Sequence, residues 1–552
     1  MTRIALVFAC VIGCAAERAH TEDQSPPSSP ETTNDAPASS AMSTADTSSA
    51  DNTDTAEPEA PPPLSGETSE QSPLPALTPP EVVASASPGD AASPAEVPPD
   101  AAPPEAVPPA AVPPEAVPPV APEPNLPLGV VSRFPSAGAT VCRDVPLRLS
   151  FDSDVRLGNS GRIRIFDQAA PNTTVGTIDM AATSFTDNIA GRTTNLVRPV
   201  FVDGRDVSVY FPHALLKPNT GYFVRVDAGV FQDPAGAAQA AVGDASWAFR
   251  TGPVPQPSND LIVQREGSGF CTLQGALDAI PAGNTGRVTV ELGNGIYHEI
   301  GYLTGKANVT LRGQDRDGTV ISYPNNENLN GGTAGRAMLT VLTGNGLTIE
   351  NLTLHNTTPQ GGGQAEALRV RSDHVTLRNA NFLSLQDTLL LEGHVYVADS
   401  YIEGNVDFVW GVGASYFERS EIKIVGRSGV IVQARNGAGA FGYIFVDSRL
   451  TADPGITNST LARIDATVYP SSQVAFINCQ IGPQISPAGW TVTPTGTTAT
   501  GALRFWEFQN TDLAGQPLNT SQRHPASRQI SAAEAAALRD RVAVLGWDPT
   551  LE

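Results

Sequence analysis

From residue 258 onward the chain repeats one small pattern: a short aliphatic strand, a few Asn, Gly or Asp residues, then another strand. Val309–Leu311, Leu347–Ile349, Val375–Leu377, Val395–Val397, Ser415–Phe417, Tyr443–Phe445 and Val474–Ile477 recur at steps of 20 to 38 residues, with no helical periodicity between them. Strands this short cannot bury an apolar face alone. Hairpin signals are scarce, so each turn of chain must stack on the one before, which is the logic of a solenoid. The pattern predicts an all-β fold whose larger part is a right-handed parallel β-helix. Helical patterning returns only at Thr272–Ile280 and Ala532–Leu545, where it predicts caps on the ends of the stack.

The rest of the chain differs in kind. Of the 48 prolines, 26 lie between residues 20 and 126, a stretch with no aromatic residue and no Lys or Arg. Such a stretch cannot bury enough apolar surface to offset chain entropy, so 20–126 is expected to be a disordered, acidic, Pro-rich linker. Residues 1–126 hold 2 basic and 19 acidic side chains, most of the net charge of −23, and no later segment clusters Lys or Arg. That balance excludes a nucleic-acid partner. Residues 1–19 read as an export signal: Arg3 precedes an apolar run from Ile4 to Ile12, too short to span a bilayer. The following Val11-Ile12-Gly13-Cys14 resembles a bacterial lipobox, which makes Cys14 the expected site of lipidation and its lipid the only membrane contact. The expected location is the cell surface or outer membrane, or the medium if the signal is of the ordinary kind. Export leaves Cys142, Cys271 and Cys479 for folded domains, and three cannot all pair. A Cys271–Cys479 bridge and three buried thiols both remain open.

Between 127 and 252, runs such as Val145–Phe151, Arg162–Phe166, Val207–Phe211, Tyr222–Val226 and Ser246–Arg250 alternate apolar and polar residues between turn signals. Period-two patterning at this length predicts a β-sandwich. With Phe134-Pro135, LKPNTGY from Leu216, FQDPAG from Phe231 and the closing Trp247-Ala-Phe249, the segment resembles a bacterial immunoglobulin-like domain. It carries no catalytic cluster, and a spacer or adhesive role is expected ahead of carbohydrate binding.

Stacking turns sequence spacing into distance. Gln364, Gln386-Asp387 and Asp407 are 20 to 22 residues apart, one coil each, and coils stand about 4.8 Å apart. The predicted ladder holds two carboxylates and two primary amides. Two carboxylates that close cannot both ionise freely, so one keeps its proton as an acid while the other serves as nucleophile or base. Amide N–H groups could stabilise an oxyanion.

These residues also carry a resemblance. GIYHE from Gly295, QAEAL from Gln364, LQDTL from Leu385, YIEGNVDFVWG from Tyr401, VAFIN from Val474 and ISPAGW from Ile485 occur in the order found in the pectin methylesterase family, a resemblance over about 260–545 within an expected catalytic domain of 258–552. The resemblance implies hydrolysis of pectin methyl esters to methanol and pectate through an aspartyl acyl-enzyme, with homogalacturonan as partner and no cofactor or metal. Asp407 matches the nucleophile, Asp387 the acid that then becomes the base, Gln364 and Gln386 the oxyanion donors, and Arg463 the arginine that orients the nucleophile. Trp410, Trp490 and Tyr297 are candidate sugar contacts. The family's LGRPW block reads Leu461-Ala-Arg-Ile-Asp465 here, so Asp465 stands where a tryptophan supports sugar stacking. Two other readings compete: a solenoid lyase or glycosidase, and a non-catalytic surface lipoprotein that keeps the fold.

Overall fold

The computed structural model describes residues 128–550 except 268, 343 and 498–501. The signal, Cys14 and the Pro-rich stretch lie outside the described residues.

Residues 130–251 form two facing sheets. One pairs Val130–Phe134, Leu147–Phe151, Asp206–Val209 and Val200–Asp203, all antiparallel. The other runs Thr140–Val141, Ala248–Thr251, Gly221–Val226, Arg162–Asp167 and Thr174–Asp179, antiparallel but for its first pair. Alternation puts Leu147, Leu149, Ile163, Ile165, Val224 and Val226 into one shared core around a buried Trp247, whose Nε1 donates to the Pro135 carbonyl at 2.9 Å. A separate hairpin, Phe185–Ile189 with Arg192–Leu196, projects from these sheets.

From Asp260 the chain winds as expected into three parallel sheets, of 11, 8 and 8 strands among the described residues. Each coil places one strand in each sheet, so like residues stack: Leu311, Ile349, Leu377, Val397, Phe417, Phe445 and Phe476 occupy one register row. Its aromatic end is stacked, with ring centroids 4.3 Å apart for Phe417–Phe445 and 4.7 Å for Phe445–Phe476. The corner between the first and second sheets is turned by one residue of positive φ per coil: Asn351, Asn379, Asp399, Arg419, Asp447 and Asn478. Asn and Asp adopt that conformation more readily than other side-chain-bearing residues. This explains the Asn/Asp punctuation in the sequence.

Helices close the stack where the patterning placed them. α1, Leu273–Ala279, is capped by Thr272 and by Glu299, which accepts from the Leu273 and Gln274 amides at 2.9 and 3.0 Å. α2, Ala532–Arg539, starts from a Ser531/Glu534 capping box, and α3 spans Arg541–Leu545. The cysteines differ from both readings of the sequence. Cys142, beside the two-sheet segment, is bonded to Cys271 at the start of the solenoid, while Cys479 is a buried thiol. Spacing could not reveal this pair because it joins two separately patterned segments.

Candidate active site

Four successive coils meet at the entrance to the third sheet. Hydrogen bonds fix their register: Met338 N to Glu366 O, Ala365 N to Gln386 O, and Asp387 N to Val406 O, at 2.8, 3.1 and 3.0 Å. Gln364, Gln386-Asp387 and Asp407 therefore occupy neighbouring coils on one edge, as their spacing predicted. Both aspartates have left-handed backbones, φ 67° at Asp387 and 47° at Asp407, and Asp407 sits at an irregularity in its strand, Val406–Val412. Such conformations cost of order 1 kcal/mol each and turn the side chains out of the regular alternation.

The two carboxylates are nearly buried and differently partnered. Arg463 Nε donates to both Asp407 oxygens at 2.9 and 3.0 Å, and its Nη2 adds a further bond to Oδ2. Burial pushes Asp407 above the ordinary carboxylate value while Arg463 pulls against that shift. Asp387 accepts from Arg336 Nη2 at 3.0 Å. It is held well above the ordinary value by burial first, then by the negative charges of Glu366 and Asp407, with Arg336 opposing. The arrangement therefore pairs a carboxyl held well above the ordinary range with one whose rise is opposed by a guanidinium on both its oxygens.

Arg336, Glu366 and Glu327 escaped the sequence reading. Arg336 Nε donates to both oxygens of the fully buried Glu366 at 2.9 and 3.0 Å, and its Nη1 donates to Glu327 at 3.0 Å. Glu366 did leave a signal, a charge among the aliphatic residues of QAEAL. Arg336 left none, since it lies 30 residues earlier in an irregular Gly-rich loop.

Register sorts the remaining candidates. Leu368, Leu389, Val409, Val432, Ala462 and Trp490 form one row of the third sheet, all buried. Trp490 is thus core, stacked on Phe505 at 4.7 Å with Nε1 donating to Glu507, and is no sugar platform. Tyr297 is corrected likewise: it is 1% exposed and its hydroxyl donates to the Gly293 carbonyl. One position along, Trp410 and Arg463 belong to the opposite face. Trp410 lies beneath two guanidiniums, with Arg435 4.6 Å and Arg336 5.6 Å from ring centroids. Asp465 shares Arg463's alternation and accepts from Thr467 N at 2.8 Å, a local turn that holds its carboxylate below the ordinary value.

Comparison with known proteins identifies the family. The pectinesterase family model matches residues 260–539. The chain is similar to pectinesterase 31 of Arabidopsis thaliana, 30% identical over 50% of this chain and 88% of that one. It is also similar to pectinesterase 2 of Olea europaea, 30% identical over 50% of this chain and 75% of the relative. Among solved structures, a pectin methylesterase from Yersinia enterocolitica is 26% identical over 49% of this chain and 96% of its own, with a TM-score of 0.42. On the family match and the Arabidopsis relative, the chain belongs to the pectinesterase family.

Proposed function

We propose that the protein hydrolyses methyl esters of pectin, with Asp407 as nucleophile and Asp387 as acid and then base. The observation that carries this reading is the asymmetry of the pair: Asp407 bonded by Arg463, and Asp387 raised by burial and by two carboxylate neighbours. The Asp407 carboxylate attacks the ester carbonyl and the Gln364 and Gln386 amides stabilise the oxyanion. The C–O bond to methoxide breaks, and Asp387 gives its proton to departing methanol. Asp387, now ionised, takes a proton from water, the hydroxide opens the anhydride to the galacturonate, and Asp407 is regenerated. Asp465, on the Arg463 side of the sheet, is read as a sugar contact, while Trp410, 5% exposed beneath Arg336 and Arg435, is read as their support rather than as a sugar platform.

Residues 127–252 are read as a bacterial immunoglobulin-like domain, in keeping with the two facing sheets and with Tyr222, whose hydroxyl accepts from Lys217 N in a corner-like contact. A disulfide between Cys142 and Cys271 fits an oxidising compartment, which supports export. The lipobox-like Cys14 is read as the anchor, with 20–126 as the stalk between membrane and catalyst.

Methanol release from highly esterified pectin tests the activity. Asp407→Asn is nearly isosteric but cannot form the acyl-enzyme, so release should fall at least about a thousandfold while the fold persists. Turnover near the wild-type rate would refute the nucleophile.

A further inference from the structure

Arg336 reaches Asp387 from residues 324–337, a loop with no strand of its own. Asn325 closes the loop on itself, its Nδ2 donating to the Gly335 and Ala337 carbonyls at 2.8 Å each. The outer side of the loop is held by the Phe185–Leu196 hairpin of the preceding two-sheet segment. Asn195 N donates to Asn330 Oδ1 at 2.8 Å, and Asn330 Nδ2 donates back to the Asn195 carbonyl at 2.9 Å. Asn195 Nδ2 adds a bond to the Leu329 carbonyl at 2.9 Å. Arg192 Nη2 reaches the Ala334 carbonyl at 3.1 Å with its guanidinium 5.0 Å over the Tyr302 ring. At the hairpin's tip, Ile189 is 6% exposed and packs into the solenoid's own apolar core.

These contacts are specific in form. A reciprocal side-chain-to-backbone pair fixes both distance and orientation, and the bond to Ala334 lies two residues before Arg336. Arg336 in turn divides its donors among Glu327, Glu366 and Asp387, with the Asp387 bond made by a single nitrogen at 3.0 Å. Glu366 holds that guanidinium by several bonds and Glu327 lies on the same loop and moves with it, so a loop shift of about 1 Å would cost the Asp387 contact first.

We propose that the Phe185–Leu196 hairpin is a positioning element of the esterase, bracing the 324–337 loop so that Arg336 stays on Asp387. The consequence for catalysis rests on the role of Asp387 given above; the brace itself does not. Without it, Asp387 loses its cation and binds its proton more tightly.

The test uses the full chain and two variants. In the first, Gly-Gly replaces residues 186–195, a short link because Phe185 and Leu196 are cross-strand partners. The second keeps the hairpin and combines Arg192→Ala with Asn330→Ala. Amide hydrogen exchange over residues 325–337 should quicken about tenfold or more in both. The alkaline limb of kcat/KM should move up by about half a pH unit or more, with KM changed less than about twofold. Arg336→Gln should give the same shift, and adding the hairpin deletion should move it no further. Unchanged exchange in both variants overturns the brace, and faster exchange without a limb shift overturns its positioning role. If the wild-type protein releases no methanol from esterified pectin, the esterase reading fails and exchange alone decides the brace.

Discussion

At the scale of single residues, the site is a problem of distributing protons over carboxylates. Glu327, Glu366 and Asp387 share Arg336, while Asp407 has Arg463. In the proposed mechanism acylation needs Asp407 ionised, so activity should fall as pH drops through its value. It also needs Asp387 protonated, so activity falls as pH rises through that higher value. Glu366 helps set the upper limb, because its negative charge is the largest influence raising Asp387 after burial. Glu366→Gln removes that charge and leaves Arg336 freer to bond Asp387, and both effects lower the Asp387 value. The alkaline limb of kcat/KM should therefore shift to lower pH, opposite in direction to the hairpin variants. A pH–rate profile checks this, and an unmoved limb would mean that Glu366 stays protonated throughout. The neighbouring-coil placement of the two aspartates and two glutamines was legible in the one-coil spacing, whereas Arg463 came only from the resemblance of its block. Arg336 was not legible, since a salt bridge across 51 residues from an irregular loop to Asp387 leaves no periodic trace.

At the scale of elements, the third sheet decides which candidates meet substrate. Its two-residue alternation places Ala462, Ile464 and Trp490 inside and Arg463 and Asp465 on the other face. The sequence could identify these strands as aliphatic, but a lone tryptophan in ISPAGW gives no sign of which face it takes. Only pairing with Ala462 shows that Trp490 fills the interior beside a small residue. Asp465 is a different matter, being on the face of Arg463 with its carboxylate tied to Thr467. Where the family resemblance implies a flat apolar ring, this chain has a carboxylate. Loss of the ring forfeits about 1–3 kcal/mol of burial and stacking, and the charge repels a polymer that becomes anionic as its esters are removed. The protein should thus prefer highly esterified or short substrates. Asp465→Trp should lower KM on low-ester pectin about tenfold with little change in kcat, since it restores binding common to ground and transition states. Steady-state kinetics across a series of ester contents checks it, and an unchanged KM throughout would remove Asp465 from the sugar-binding surface.

At the scale of the whole molecule, the solenoid was legible from its repeats and the two-sheet segment from its alternation, but their connection was not. That connection consists of one covalent bond, a set of polar contacts and an apolar patch in which Ile189 enters the solenoid core and Phe201 stacks on His298 and against Tyr323, none of which follows a period. Cys142 and Cys271 are separated by 129 residues, so their bond closes a loop containing nearly all of the two-sheet segment. In a chain-entropy treatment a closure of that length removes about 5 kcal/mol of freedom from the unfolded chain. Asp144, two residues past Cys142, reinforces the joint by accepting from Cys271 N and Thr272 N at the start of α1. The bond therefore does more than stabilise the segment it encloses: it ties the base of the hairpin-bearing sheets to the first coil. Cys142→Ser combined with Cys271→Ser should lower the melting temperature. It should also separate a single calorimetric transition into two, the sheets unfolding before the solenoid, because the remaining noncovalent patch around Ile189 and Phe201 is small beside the solenoid's own core. Methanol release below the first transition should persist, since no residue of the pair touches Asp387 or Asp407. A single transition at an unchanged temperature in the double variant would show that the noncovalent contacts alone couple the two parts.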